Sequence, residues 1–136
     1  MKKPRALLAD DHKLVLEGFK KLLETEYNIV ATAEDGRSAV AAAIEHDPDV
    51  IVMDISMPLL NGIEAARQIR KTKPEAKIVF LSMHADPAYV TEAFKVGASG
   101  YLLKRSAGGE LRLALEEVRR GNFYVTPLVT KTMVDA

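Results

Sequence analysis

Ala6-Leu7-Leu8-Ala9-Asp10-Asp11 and Val50-Ile51-Val52-Met53-Asp54 are two short apolar runs that each end in acid. Runs this short and this apolar suit parallel strands buried on both faces. Placed centrally in one parallel sheet, they bring their carboxyl ends to a shared edge. That edge is where open α/β sheets bind ligands. Three carboxylates meeting there repel one another unless a cation lies between them. Oxygen-only ligands suit Mg2+, which takes few carboxylates and keeps several waters. The two runs therefore predict a small acidic pocket for a divalent metal.

The pattern continues outward from these runs. After Asp10, a helix is expected from His12 to about Thr25, with Val15, Phe19, Leu22 and Leu23 on its inner stripe. A β-branched run from Tyr27 to Ala33 gives a second strand, and Asp35-Gly36 a turn. Arg37 to His46 forms a helix on Ala39, Val40, Ala43 and Ile44, stopped by Asp47-Pro48. Asp49 to Asp54 is the third strand. Pro58 and Asn61-Gly62 mark a loop before a helix from Ile63 to about Lys71. Lys77 to Ser82 is a fourth strand, Pro87 to Val96 a helix ending at Gly97, and Gly100 to Leu103 a fifth strand. Ser106 to about Arg120 is the last helix, with Leu111, Ala114, Leu115 and Val118 inward. Residues 122–136 contain Phe123, Tyr124 and Val125 but no pattern long enough to define an element.

Five strands and five helices in alternation predict an α/β fold, a doubly wound five-stranded parallel sheet with helices on both faces. With strand order 2-1-3-4-5, the topological switch falls between the strands that end in Asp10 and Asp54. The acidic trio and the crevice expected from topology coincide.

Composition narrows the function classes. The 136 residues suffice for one domain with a core, and 48% hydrophobic with 28% charged residues is a globular balance. Lys plus Arg and Asp plus Glu are 19 each, so the chain lacks the basic surplus of a nucleic-acid-binding domain. The absence of cysteine excludes disulfides, zinc-thiolate sites and thiol catalysis. Asp10 and Asp11 interrupt the first apolar run too early for a signal peptide, and no run is long enough to span a bilayer, so a cytoplasmic location and no membrane contact are expected.

Ser82 and Lys104 end the fourth and fifth strands on the same edge. Carboxylates around a metal, opposite a lysine and a hydroxyl, suit the holding of a phosphoryl group. A carboxylate can itself be the nucleophile and become an aspartyl-phosphate. Asp54 is the candidate because it stands alone at its strand end, leaving Asp10 and Asp11 to keep the metal. Asp10 or Asp11 also suits a helix start. His12 could be read as a metal ligand or phosphate carrier, but is expected instead to begin the first helix and point to solvent. His84, two residues past Ser82, is read either as a residue that tunes dephosphorylation or as a loop histidine without a role. Leu16 and Leu113 fall off the inner stripes of their helices and are read as lone surface leucines or as part of a dimer face.

At these positions the chain resembles a receiver domain of two-component response regulators. The match comprises Asp10-Asp11, Met53-Asp54-Ile55-Ser56-Met57-Pro58, Asn61-Gly62, Ser82 and Gly97-Ala98-Ser99-Gly100-Tyr101-Leu102-Leu103-Lys104, in order over about residues 4–121. The resemblance implies that Asp54 accepts a phosphoryl group from a sensor histidine kinase. It implies that Asp11, Asp54 and the backbone carbonyl of Ser56 ligate Mg2+ with help from Asp10, that Lys104 contacts the phosphate, and that Ser82 and Tyr101 form the switch pair. Phosphorylation is then expected to draw Ser82 toward the phosphate and let Tyr101 swing inward. Such a domain is a phosphoacceptor assisting its own phosphorylation and dephosphorylation rather than an enzyme, and a homodimer is possible.

Asp10-Asp11-His12 with Leu14-Val15, Leu81-Ser82-Met83-His84 and Gly121-Asn122-Phe123-Tyr124 resemble the NarL/FixJ, or LuxR-type, subfamily more narrowly. That resemblance implies a receiver over 1–121 and, in 122–136, the start of a linker toward a C-terminal helix-turn-helix domain absent from this sequence, through which DNA would be bound. Two departures stand out. Arg105 follows Lys104 where receivers commonly have proline after a cis peptide, so Lys104 is either held by strain or enters a trans loop. Met83 stands where many receivers have a small residue, and its bulk is expected to slow access. Other classes fit less well. Asp10-Asp11-His12-Lys13 replaces the Gly-x-Gly-x-x-Gly of a dinucleotide enzyme. No Asp-x-Asp strand end or cap of a haloacid-dehalogenase-like phosphatase is present. A receiver-like module that never uses phosphate is opposed by the complete Asp-Asp, Asp54, Ser82 and Lys104 set.

Overall fold

The computed structural model describes residues 2–130. Elements alternate along the chain as β1 (Arg5–Ala9), α1 (Lys13–Leu23), β2 (Asn28–Ala33), α2 (Gly36–His46), β3 (Val50–Asp54), α3 (Gly62–Thr72), β4 (Ile78–Ser82), α4 (Pro87–Lys95), β5 (Gly100–Leu103), α5 (Lys104–Arg119) and β6 (Tyr124–Val125). The sheet is parallel throughout in the order 2-1-3-4-5-6. The expected doubly wound α/β architecture is therefore present, with one strand more than the five predicted. β6 pairs with Gly100 and Tyr101 of β5. Residues 127–130 are helical. The part of the expected linker at 122–130 is thus packed on the domain, and 131–136 lie outside the described residues.

The period-two alternation of the strands divides the core into two layers. Leu7, Ile51, Phe80 and Tyr101 face α2, α3 and α4, where they meet Ala39, Ala66, Ile69 and Ala93. Leu8, Val52, Leu81 and Leu102 face α1 and α5, where they meet Leu16, Leu23, Leu111 and Leu115. Every residue of β3, β4 and β5 is buried. This is why these segments read as continuous apolar runs.

Polar residues set where the helices begin. Asp35 accepts a hydrogen bond from the Ser38 N–H at 2.7 Å, Asn61 from the Glu64 N–H at 2.9 Å, and Asp86 from the Ala88 N–H at 2.9 Å, with Pro87 in the first turn of α4. Each satisfies an amide that the helix leaves without a partner. Two sequence expectations change. Leu16 is buried against the sheet; the inner stripe of α1 keeps the expected Phe19, Leu22 and Leu23 and takes Leu16 in place of Val15. Leu113 is exposed as expected, whereas Ile44 lies at the surface rather than on the inner face of α2.

Candidate functional site

β1 and β3 are neighbours in register, with Ala9 opposite Met53, so the residues that follow them emerge side by side. Asp10 and Asp54 are nearly inaccessible, and Asp11 is partly exposed above them. The Asp10 N–H is held by the Ala33 carbonyl at 3.0 Å. Lys104, at the end of β5, reaches across the sheet edge. Its Nζ donates to Asp54 Oδ2 at 2.9 Å and lies 3.1 Å from Asp10 Oδ2. The backbone N–H of Ser56 donates to Asp54 Oδ1 at 3.2 Å, and that of His12 to Asp10 Oδ1 at 2.9 Å. Asp10 Oδ2 makes no hydrogen bond despite its burial. One oxygen from each of Asp10, Asp11 and Asp54, with a nitrogen of His12, all lie within 4.8 Å of one another. The four acidic and basic groups predicted for this edge are together, and the carboxylate cluster is one that could hold a metal ion.

The electrostatics follow from burial and from Lys104. Burial pushes the Asp54 carboxyl above the ordinary carboxylate range, and the nearby Asp10 charge adds to this, while the Lys104 hydrogen bond opposes it. Burial works against the Lys104 ammonium, but its hydrogen bonds to Asp54 and Asp10 and their charges outweigh it and raise the Lys104 pKa. The site thus keeps the Lys104 cation firmly protonated and resists ionising Asp54.

A glycine completes the support of Asp54. A Cβ on Gly62 would stand 2.3 Å from the Asp54 carbonyl oxygen, and the Gly62 N–H donates to the Ile55 carbonyl at 2.7 Å. Asn61-Gly62 is therefore more than a turn: the N-terminus of α3 is pressed against the backbone that carries Asp54, and only glycine fits there.

Ser82 is buried at the end of β4, and its Oγ accepts the His84 N–H at 2.9 Å. Tyr101 is fully buried, with its hydroxyl donating to the His84 carbonyl at 2.7 Å and lying beside Ser82. Burial raises its pKa. Tyr101 therefore already occupies the inward position that the sequence reading reserved for the end of a swing. The His84 ring stacks on Tyr89, centroids 4.4 Å apart, so it has a packing partner that sequence spacing alone did not indicate.

Two local expectations are resolved. No described peptide bond is cis, and Lys104 opens α5 directly, so the trans alternative holds at Lys104–Arg105. Met83 projects into solvent at 78% exposure rather than crowding the cluster. His12 begins α1 as its N-cap residue, as expected. Its side chain is largely exposed, yet Nδ1 lies 3.3 Å from both Asp10 Oδ1 and Asp11 Oδ1 and 3.2 Å from Lys104 Nζ. The available signal was adjacency to two acids; the hydrogen bond from its backbone to Asp10 is what folds the ring back over them.

Fold and site together define a parallel α/β domain whose sheet edge carries an acidic cluster crossed by a lysine. Residues 6–116 match the family model for the response regulator receiver domain, and the chain belongs to that family. It is 43% identical over 134 residues to the transcriptional regulatory protein DegU of Brevibacillus brevis, covering 97% of this chain and 57% of that protein. The chain thus spans little more than half the length of that relative. Among solved structures, it matches a two-component response regulator of the LuxR family from Aurantimonas sp. SI85-9A1 with a TM-score of 0.94 and 37% identity, covering 98% of this chain and 97% of that one. The isolated receiver domain of RcsB from Salmonella enterica serovar Typhimurium, solved with the phosphomimetic BeF3−, matches with a TM-score of 0.86 and 28% identity over 96% of this chain and 98% of that one. The chain is accordingly a receiver domain of a two-component response regulator whose relatives are transcriptional regulators. No helix among the described residues is long and apolar enough to cross a membrane.

Proposed function

We propose that this domain is a switch in which Asp54 accepts a phosphoryl group from a sensor histidine kinase. The observation that carries the reading is the convergence of three carboxylates and the Lys104 ammonium at one sheet edge. Asp10, Asp11 and Asp54, with the backbone carbonyl of Ser56, would hold Mg2+; this donor set is all oxygen, and one oxygen of each of the three carboxylates lies within 4.8 Å of the others. Such an ion supplies charge neutralisation for the phosphoryl oxygens.

An Asp54 carboxylate oxygen attacks phosphorus. A P–O bond forms as the P–N bond of the donor phosphohistidine breaks, its electron pair staying on the imidazole nitrogen, which gains a proton from solvent. Attack requires the ionised carboxylate, which burial disfavours and Lys104 promotes. Lys104, already 2.9 Å from Asp54 Oδ2, then turns its N–H groups to the new oxygens. Ser82 accepts from His84, so its own proton is available to a phosphoryl oxygen. Because Ser82 and the Tyr101 hydroxyl both bond to His84, movement of Ser82 is relayed to the loop ahead of α4 and to β5. In a longer regulator this altered face would control a C-terminal helix-turn-helix domain and thereby transcription.

Intact-mass measurement after incubation with acetyl phosphate and Mg2+ tests the assignment. One phosphate-sized gain per chain is expected, absent from Asp54→Ala. A gain retained in Asp54→Ala, or none in the wild type, overturns it.

A further inference from the structure

We propose that residues 122–126 form a strap that registers the position of α4 through the ring contact between Phe94 and Phe123, and so carries the state of Asp54 to the chain beyond α5. The inference rests on the reading that Asp54 is phosphorylated, and it assigns a route by which that event leaves the domain.

α4 carries an aromatic contact at each end. Near its start, Tyr89 stacks on the His84 ring, with centroids 4.4 Å apart and planes 8° from parallel. Near its end, Phe94 meets Phe123 edge to face, with centroids 6.0 Å apart at 68°. About 7.5 Å of helix axis separates Tyr89 from Phe94, at the usual rise per residue. The first contact is joined to the site, because the His84 N–H donates to Ser82 Oγ and its carbonyl accepts from the Tyr101 hydroxyl. The residues that α4 buries are Val90 and Ala93, neither of them long, which suits small sliding of the helix over the sheet.

The second contact belongs to the strap. Strand alternation puts Phe123 and Val125 on the α4 side of the sheet and Tyr124 on the α5 side. Hydrogen bonds fix the strap to its other neighbours. The Tyr124 N–H donates to the Ser99 carbonyl at 3.1 Å, the Thr126 N–H to the Tyr101 carbonyl at 3.0 Å, and the Tyr124 hydroxyl to Glu110 of α5 at 2.7 Å. Phe123 is 72% exposed, so burial does not account for a phenylalanine here; its ring partner is Phe94. An edge-to-face pair is directional, because the positive rim of one ring seeks the negative face of the other. When α4 shifts with His84, the Phe94 ring moves and Phe123 follows, while Tyr124 stays tied to α5. The strap thus has one fixed flank and one that answers to the phosphoryl site.

Fluorine NMR of the 136-residue chain labelled with 4-fluorophenylalanine tests this, since its four phenylalanines are Phe19, Phe80, Phe94 and Phe123. Mg2+ with beryllofluoride is the probe. In the wild type, the Phe94 and Phe123 signals are both expected to move. In Phe94→Leu, the Phe123 signal should lose most of its response, and Phe94→Tyr, which keeps a ring, should restore it. In Phe123→Leu, at an exposed position, the Phe94 signal should be displaced before the probe is added. Dispersed Phe19 and Phe80 signals report that each variant is folded. A Phe123 signal that ignores the probe while intact mass shows phosphate uptake from acetyl phosphate overturns the inference and leaves the Asp54 reading intact. A response undiminished in Phe94→Leu, equal losses in Phe94→Leu and Phe94→Tyr, or a Phe94 signal unmoved by Phe123→Leu do the same. No signal change together with no phosphate uptake overturns both.

Discussion

Asp54 is held where its charge is expensive. Burial raises its pKa, so the fold favours the neutral acid. A raised folded-state pKa gives stability that is complete below the unfolded value, near 3.8, and is lost as pH rises through the folded one. At neutral pH without metal, the ionised Asp54 therefore strains the fold. Urea denaturation at pH 7 in EDTA should show Asp54→Asn to be more stable than wild type, with the gap closing on acidification; a less stable variant would contradict this. Gly62 is the opposite case, a residue kept small by a backbone oxygen. Gly62→Ala should lower stability by about 1–3 kcal/mol, the usual cost of forcing an extra carbon into a packed site, and should slow phosphorylation of Asp54 by displacing its carbonyl. At this scale much of the site was legible: a carboxylate following a short apolar strand can only emerge at that strand's end. The inward position of Tyr101 was not legible, because a side chain's direction depends on partners such as the His84 carbonyl, which no local pattern encodes.

At the scale of elements, alternation was read correctly because strands buried on both faces leave an unmistakable apolar run. Phase was harder. In α1, Val15 and Leu16 are adjacent apolar residues, and the choice between them as the inner stripe depends on where the helix starts; the sheet selected Leu16. β6 escaped because two residues carry no period. Its contribution is nonetheless measurable. Besides the pairing of Tyr124 and Val125, Thr126 takes the Leu103 N–H on its Oγ1 at 3.2 Å and donates its own N–H to the Tyr101 carbonyl at 3.0 Å, and Val129 is fully buried. A chain ending at Gly121 should therefore unfold at lower urea than the chain of 136 residues, by more than removal of a solvated tail would produce. Equal midpoints would mean that β6 is decoration.

For the molecule as a whole, the fold and the site are coupled through charge. The sheet edge gathers carboxylates that repel when the chain closes around them, so an ion that binds only the folded chain adds its binding energy to folding. Mg2+ at roughly a hundredfold excess over its Kd should raise stability by about 2.7 kcal/mol. Thermal melts should show a Tm that climbs with Mg2+ in the wild type and much less in Asp11→Ala. A Tm indifferent to Mg2+ would show that the acids converge without sharing an ion.

β5 has a further consequence for how copies of this chain meet. Gly100, Tyr101, Leu102 and Leu103 form a wholly buried strand whose outer flank bonds, among the described residues, to the short stretch from Tyr124 to Thr126. Peeling that stretch away would expose a row of open amides and carbonyls beside greasy side chains, the template on which sheets recruit foreign strands. The pairing of Tyr124 and Val125 and the two hydrogen bonds of Thr126 keep that row of groups satisfied.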